Sequence, residues 1–377
     1  MGIATVLMAS TRYDSYTIAG TLSATNSVAW AIGAAVLASL VDRFGQRRVM
    51  LPASVLSGAL LLLVVVLAAT GAPAWTLFAP TALSGFTAGA PGALVRARWN
   101  YVLADPQQLH AALSLESTLD EGTWVFGPMI ATLLATMLFP EAGLIGVVAV
   151  GVSGSLAFYA QRRTEPPSHP TRAPKQSGGG LLLAVPGVFP VILVNLLVGM
   201  AFGAADVSIV AAAEHFGNKG WSGIVLGVIA LGSASAGLAY GSRKWRSPIR
   251  HRFAVFTLFY AATTWLLVTS PSIWALGAFG LLNGFAIAPS FINSNSLIQQ
   301  IVPEHRLTEG LSWIGTSVGI GGSLGSTAAG YFIDQTGAFV GLTTAAIGAS
   351  LAALIAAATL PLLARAQTPR SIRSPSL

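Results

Sequence analysis

The chain has 377 residues, of which 54% are hydrophobic and only 9% are charged, whereas about 25% of the residues in an ordinary soluble domain are charged. So few charged side chains could not cover a water-soluble fold, which excludes a soluble globular protein and indicates an integral membrane protein. The net charge of +7 does not indicate a nucleic-acid partner, because the basic residues lie in short clusters between apolar runs, as membrane topology requires.

Twelve apolar runs of roughly 20 residues, the length that an α-helix needs to cross a bilayer, follow one another along the chain. We predict an all-α integral membrane protein with an N-terminal six-helix half at 1–161, a central linker at 162–187, a C-terminal six-helix half at 188–364 and a basic tail at 365–377. The linker is rich in Pro, Gly, Ser and basic residues, as flexible connections are. The predicted spans, numbered 1 to 12, are 1–12, 17–41, 49–70, 76–97, 106–138, 143–161, 188–211, 221–242, 252–270, 273–300, 307–333 and 337–364.

Span 1 is short. Its apolar run, MGIATVLMAS, reaches Arg12 after about ten residues, half of what a span requires. No basic segment precedes the run, so a signal peptide is not indicated. We therefore expect that part of helix 1 is absent from this sequence, through a misassigned start or a true truncation.

The basic residues predict the orientation. If the first connection faces outward, the inward connections are 42–48, 98–106, 161–187, 243–252 and 301–306, together with the C-terminal tail. With the inner end of span 4, these segments hold every one of the 20 Lys and Arg residues except Arg12 and Lys219. Because Lys and Arg accumulate on the cytoplasmic side of membrane proteins, we predict a multi-pass protein of the cell membrane with both termini in the cytoplasm.

The two halves repeat at an offset of 198 residues. Several landmarks come into register at this offset, and a parallel duplication of six-helix halves is the organisation of secondary transporters, whose substrate sites lie between the halves. The matching pairs are Leu40 and Leu238, Pro91 and Pro289, Leu113 and Leu311, Ser114 and Ser312, and Gly127 and Gly325.

The stretch ASLVDRFGQRR at 38–48 lies between spans 2 and 3. It resembles the signature loop of the major facilitator superfamily, G-x-L-x-D-R-x-G-R-R, and departs from it at Ala38 and Gln46, where the family usually has Gly and a basic residue. A weaker copy at 236–246 has Tyr240 at the position of the aspartate. The residues that match the signature, with one further arginine after them, are Leu40, Asp42, Arg43, Gly45, Arg47 and Arg48.

The resemblance covers nearly the whole chain and implies the two-half fold of that superfamily. It also implies that this loop helps to close the halves on the cytoplasmic side. We therefore predict a gating role for the loop; the alternative is that it only fixes the topology, for which no aspartate is needed. Glu309, near the start of span 11, is either a partner of the loop across the halves or an acid that complements the helix dipole. The predicted gating residues are Asp42, Arg43, Gly45, Arg47, Arg48 and Glu309.

Three of the 13 acidic residues lie within six positions of span 5, in LSLESTLDEGTWVFGP. Counting about 20 residues back from the outer end of the span places Glu116 at the interface, and Asp120 and Glu121 inside the hydrocarbon. An embedded carboxyl group has its charged form disfavoured. We therefore predict that Glu121 is the proton-coupling residue; the alternative is a structural ion pair with span 4.

The inner end of span 4 contains Arg96 and Arg98. Long arginine side chains reach the interface readily, which favours an anchoring role for at least one of them. Arg96 lies deeper and is the better candidate to pair with an acid of span 5.

Further polar residues lie inside the predicted spans. They line a substrate cavity, or they bond neighbouring helices together. The candidates are Asn195, Asn283, Ser290, Asn293 and Asn295.

No catalytic constellation is present in the sequence. Cysteine is absent and the five histidines show no metal-ligand spacing. We therefore expect no enzyme activity, no metal and no cofactor.

The predicted function is secondary active transport of small solutes by alternating access in a monomeric protein, with proton-coupled efflux as the favoured mode. Gly127 and Pro128, predicted as a hinge in span 5, resemble the Gly-Pro signature of drug/proton antiporters in the superfamily. Ala131 and Thr132 replace the glycine pair that follows it there. The alternatives are an uptake carrier, a uniporter, and a sensor built on a transporter scaffold.

Overall fold

The computed structural model describes residues 2–167, 182, 185–243, 245–303 and 306–366, and this part of the chain is helical, without strands. The helices are α1 Gly2–Arg12, α2 Tyr16–Phe44, α3 Gln46–Ala69, α4 Phe78–Ala88, α5 Pro91–Val102, α6 Pro106–Met137, α7 Ala142–Ala160, α8 Val188–His215, α9 Trp221–Ser242, α10 Ile249–Val268, α11 Ile273–Ile301, α12 Leu307–Thr336, α13 Ala338–Ala358 and α14 Leu360–Ala366. A 3₁₀ turn, Ala74–Leu77, precedes α4.

Eight of the described helices are long and apolar enough to cross a membrane: α2, α3, α7, α8, α9, α10, α11 and α13. This composition confirms the all-α multi-pass membrane prediction. The count of twelve spans stays a prediction. α1 has 11 residues.

The predicted span 4 is divided in the structure. α4 ends at Ala88 and α5 begins at Pro91, with Gly89 at a positive φ of 66° between them. Pro91 has no amide hydrogen and Gly89 adopts a backbone conformation that other residues avoid. The freed Gly89 carbonyl accepts a hydrogen bond from Trp30 Nε1 at 2.6 Å. The repeat-related Pro289, which follows Ile287-Ala288 rather than Gly-Ala, lies within the unbroken α11.

The predicted span 12 is also divided, into α13 and α14, with Thr359 between them.

The connections alternate between two ends of the helical bundle. We call one the basic end, because it contains the connections at 45, 103–105, 161–167, 243–248 and 302–306. The opposite end contains those at 13–15, 70–77, 138–141, 216–220, 269–272 and 337. α1–α7 form the first half and α8–α14 the second. The halves meet where α2 packs on α12 and α6 packs on α9.

The buried apolar residues form three clusters whose placement differs between the two ends. One cluster lies at the opposite end and contains residues of both halves, among them Ala4, Ala131, Ala204 and Ala329. The other two lie at the basic end. One surrounds Val191 and Leu297 and is formed by the second half with Leu182 of the linker, and one is formed by Leu37, Val41, Met50, Ala53 and Tyr159 in the first half alone. The two halves therefore share a core at the opposite end and have separate cores at the basic end.

Candidate functional site: the interface between the halves

At the opposite end, a carboxylate of the second half caps a helix of the first half. Asp334, in the last turn of α12, accepts hydrogen bonds from Tyr16 N at 2.7 Å, Thr17 N at 2.8 Å and Ser15 Oγ at 2.7 Å. The amides of a first helical turn have no partner within their own helix, and a negative charge is favourable there. The Asp334 carboxylate thus closes the start of α2 onto the end of α12.

A second polar cluster joins the halves at the same end. The Tyr16 hydroxyl donates to Glu214 of α8, and Lys219 lies 3.3 Å from the same carboxylate. Lys219 also donates to Thr11 Oγ1 at 3.2 Å. Lys219 lies in the connection between α8 and α9, where burial lowers its pKa below the ordinary value and the Glu214 charge opposes that shift.

The sequence contained a sign of these contacts. Arg12 and Lys219 are the basic residues that fall outside the predicted inward segments, and each pairs with an acid at the opposite end. Lys219 pairs with Glu214, and Arg12 forms a two-pronged pair with Glu141 at the start of α7. Sequence reasoning missed Asp334, Glu214 and Glu141, because no motif marks them.

Close contacts between helices of the two halves complete the closure at the opposite end. Thr132 of α6 lies directly against Gly223 of α9, and Ser323 and Ser326 of α12 donate to the Ala24 and Gly20 carbonyls of α2, each at 3.3 Å. Thr132 thus lies at a close helix contact between the halves.

At the basic end, the predicted gating loop has few partners. Asp42 is exposed and makes no hydrogen bond or ion pair with a described residue. The Arg43 guanidinium lies 5.0 Å from the Phe44 ring centroid, and Arg48 is exposed. Gly45 turns the chain at a φ of 90°. The proposed gating role of the loop stays a prediction.

The start of α3 is bonded to the connection after α7. Arg47 N donates to Glu165 Oε1 at 3.0 Å, so Glu165 supplies the side-chain acceptor that Gly45, the N-cap residue, lacks. Glu165 was not singled out from the sequence, because it lies in the predicted linker.

Glu309 forms a local pair. Its carboxylate accepts two hydrogen bonds from Arg306, from Nε and from Nη2, each at 3.0 Å. This pair lies at the first turn of α12. An acid at that position complements the helix dipole, which is the alternative role given above for Glu309.

Arg98 is buried and bonds three elements of the first half. Its Nε donates to Gln46 Oε1 at 2.8 Å, and its Nη1 donates to the Phe158 and Gln161 carbonyls at 2.9 and 3.1 Å and to Thr164 Oγ1 at 3.0 Å. Gln46, one of the two residues that depart from the superfamily signature, accepts the hydrogen bond of Arg98 Nε. The contacts of Arg98 fit an anchor for α3, α5 and α7.

Arg96 of α5 lies within ion-pair distance of Glu116 of α6. Arg96 Nε lies 3.1 Å from Glu116 Oε1, and the Glu116 side chain is 10% exposed. Neither Glu116 oxygen has a well-directed hydrogen bond from a described residue, so the pair is an ion pair by distance alone. Asp120 and Glu121 belong to α6, but their side chains lie outside the part of the chain that the structure describes.

The second half has its own anchor at the basic end, in which Tyr240 occupies the position of Asp42. The buried Tyr240 hydroxyl accepts from Arg252 Nη1 at 2.6 Å and donates to Asn293 Oδ1 at 2.7 Å. Trp245 stacks on the Tyr240 ring, with centroids 4.7 Å apart. The weaker copy of the signature loop thus bonds α9, α10 and α11.

The predicted cavity residues are bonded within their helices. Each donates to the carbonyl four residues earlier, with the exception of Asn283, which donates across to Thr263 and Thr264 of α10 at 3.2 and 3.0 Å. Asn293 is bonded to Tyr240 as well. The residues that bond within their own helix are Asn195, Ser290, Asn293 and Asn295.

α6 continues without interruption through Gly127 and Pro128. The Pro128 carbonyl lies against Gly223 of α9, so the predicted hinge is next to the contact between the halves. Among the described residues, no group of three or more His, Asp or Glu side chains could hold a metal ion.

The fold recurs in solved structures of transporters. The chain superposes on the peptide transporter POT in complex with sulfate (TM-score 0.73, 12% identity, 97% of this chain and 92% of that chain). It also superposes on the nucleoside transporter NupG (TM-score 0.69, 13% identity, 96% of this chain and 94% of that chain) and on a bacterial metal transporter (TM-score 0.64, 16% identity, 95% and 96%). At these identities the likeness shows the fold alone.

No curated protein matches the chain in sequence. The family model for the Major Facilitator Superfamily matches residues 1–279 and 191–376, which together cover nearly the whole length. The two-half arrangement, the signature loop at 38–48 and this match agree, and the chain therefore belongs to the Major Facilitator Superfamily of membrane transporters.

Proposed function

We propose that the protein is a secondary active transporter that moves small solutes by alternating access and exports them in exchange for protons. Its basic end faces the cytoplasm of a cell membrane, with both termini on that side, and it acts as a monomer. The two halves are the residues 1–161 and 188–364, joined by the linker at 162–187, and the basic tail follows at 365–377.

One observation carries this proposal: the halves share a buried core at the opposite end and have separate cores at the basic end. Alternating access requires a central site that opens to one side at a time. The observed arrangement is that of a transporter closed at the opposite end and open at the basic end. With the basic end in the cytoplasm, it is the state that loads a substrate for export.

The coupling to protons is proposed from the acids of α6. The Glu116 carboxylate lies within ion-pair distance of Arg96 at the basic end, and Glu121 lies about one and a half turns further along the same helix. At about 100° per residue, positions 116 and 121 lie on different faces of the helix. An acid at that depth has its charged form disfavoured, which suits it to exchange a proton with the central cavity.

The efflux mode is supported by Gly127 and Pro128, which resemble the antiporter signature. The structural relatives do not indicate one class of substrate, because they are named as transporters of nucleosides, peptides and metals. The function test therefore uses a panel of cationic, anionic and neutral solutes.

The test reconstitutes the protein in proteoliposomes that contain a pH indicator. An imposed proton gradient is expected to drive a solute of the panel in the direction opposite to the protons. Movement in the same direction would instead show an uptake symporter, and movement without any proton flux would show a uniporter. Binding without accumulation or proton movement would show a sensor.

The residue assignment is tested in the same vesicles with Glu121→Gln. This variant should still bind the solute and exchange it across the membrane, but proton movement should be lost. Glu116→Gln is the matched control, since it removes an α6 carboxylate that Arg96 already neutralises. Full proton coupling in Glu121→Gln would reject the assignment.

A further inference from the structure

Asp334 holds the two halves together at the opposite end by capping a helix that belongs to the other half. α2 has a cap of its own, because Ser15 Oγ accepts from Ile18 N at 3.2 Å. The amides of Tyr16 and Thr17 remain, and both donate to Asp334. These bonds exist only while the end of α12 lies against the start of α2, so they stabilise the closed opposite end specifically.

Asp42 occupies the equivalent position on the partner helix. α2 ends at Phe44 and α12 at Thr336, so Asp42 and Asp334 each lie two residues before the end of their helix. Each is followed three residues later by a glycine at positive φ, Gly45 at 90° and Gly337 at 103°. α2 and α12 run antiparallel against each other, so the Asp42 end of α2 lies at the same end of the bundle as the first turn of α12.

The matching placement is not a product of the 198-residue repeat. At that offset the partner of Asp42 is Tyr240 and the partner of Asp334 is Thr136, and neither is acidic. The two acids therefore belong to the contact between α2 and α12.

The two helix starts differ in this structure. The start of α2 is capped by Ser15 and Asp334, whereas the N-cap residue of α12, Arg306, makes no side-chain cap bond. Asp42 is exposed and bonds to no described residue. One aspartate is engaged at the closed end, and its counterpart is disengaged at the open end.

We propose that Asp334 is a gating residue of the opposite end and the reciprocal of Asp42: it caps α2 while the opposite end is closed, and it releases α2 as Asp42 caps α12. This inference rests on the alternating access proposed above. The Asp334 carboxylate positions the helices and does not touch the substrate.

The test measures the separation of the halves directly, by electron–electron double resonance on spin-labelled cysteines. The chain has no cysteine, so two pairs of cysteines can be introduced for labelling, one pair in each variant. Ala69→Cys with Thr269→Cys reports the opposite end, and Arg163→Cys with Arg246→Cys reports the basic end; all four side chains are exposed.

Asp334→Asn is expected to increase the population with a long opposite-end distance and a short basic-end distance by about 5-fold or more, the usual effect of losing a helix cap. Asp42→Asn should decrease that population, and the double variant should return toward the wild-type ratio. Asp105→Asn is the matched control. It removes a capping carboxylate that accepts from Gln107 N within a single half, and it should leave both distances unchanged.

Gly20→Leu, which forces α2 and α12 apart, distinguishes failure of the Asp334 proposal from failure of the proposed alternating access. If it lengthens the opposite-end distance and shortens the basic-end distance while Asp334→Asn changes neither, Asp334 is not a gating residue and alternating access stands. If Gly20→Leu opens the opposite end and the basic end stays open, alternating access itself is overturned.

Discussion

Gly20 of α2 lies against the backbone of Ser326 of α12, so closely that a Cβ on Gly20 would clash with the Ser326 carbonyl oxygen. This contact joins the two halves at the opposite end, where the shared apolar cluster and the hydrogen bonds of Asp334 and Glu214 also join them. A side chain at position 20 cannot be accommodated while the opposite end is closed. The size of one residue thus determines whether this end can close.

We expect Gly20→Leu to open the opposite end, because overpacking of a tight contact costs about 1–3 kcal/mol. Ser326 is buried, and Ser326→Cys in the cysteine-free chain should react slowly with a water-soluble maleimide. Adding Gly20→Leu should accelerate the labelling by about tenfold. Gly154→Leu is the control, since a Cβ at Gly154 meets open space. Equal labelling rates with and without Gly20→Leu would contradict the role of this contact.

Arg98→Lys should destabilise the first half although it preserves the charge. Lysine cannot reach the Gln46, Phe158, Gln161 and Thr164 oxygens together, because it lacks the planar fork of donors. Hydrogen bonds to charged groups contribute about 1.5–3 kcal/mol each, so a clear fall in the unfolding temperature of the detergent-solubilised protein is expected. Arg163→Lys, at an exposed position, should leave it unchanged. An unaltered unfolding temperature in Arg98→Lys would show that the anchor does not stabilise the fold.

Arg96 and Arg98 contact different partners, and only part of this difference could be predicted from the sequence. Both were predicted at the inner end of span 4, and in the structure both lie in α5, toward the basic end. Two residues apart on a helix, they lie about 200° apart, so Arg96 meets Glu116 of α6 and Arg98 meets α3 and α7. Helix periodicity predicts that they diverge, but only the packing of the helices determines which partner each one meets.

The apolar runs and the basic clusters predicted most helices and the two ends, because a bilayer imposes length and charge placement on any chain that crosses it. They could not predict the division of span 4, since Pro91 and Pro289 look alike and only the first has Gly89 before it. Nor could they predict the bonds of Asp334, which depend on α2 and α12 being neighbours across 300 or so residues of chain.

Tyr240→Phe should destabilise the second half at the basic end. The Tyr240 hydroxyl accepts from Arg252 and donates to Asn293, and its removal leaves both groups without that partner in a buried site. Leaving a buried polar group unsatisfied costs about 1–3 kcal/mol, which should appear as a lower unfolding temperature. Tyr331→Phe removes a hydroxyl from an exposed tyrosine and serves as the control. Equal unfolding temperatures for the two variants would show that the Tyr240 bonds contribute nothing to stability.

Lys219 should make closure of the opposite end depend on pH in the alkaline range. Burial lowers its pKa in the closed cluster, with Glu214 opposing the shift, whereas Lys219 in an open, hydrated end would have its ordinary pKa. The open end then binds the Lys219 proton more tightly, so raising the pH toward the range in which lysine titrates favours the closed end. The opposite-end distance between labels at positions 69 and 269 should therefore shift toward its short component as the pH rises. Lys219→Gln should abolish this shift and Arg163→Gln should preserve it; a shift that persists in Lys219→Gln would assign the effect to another group.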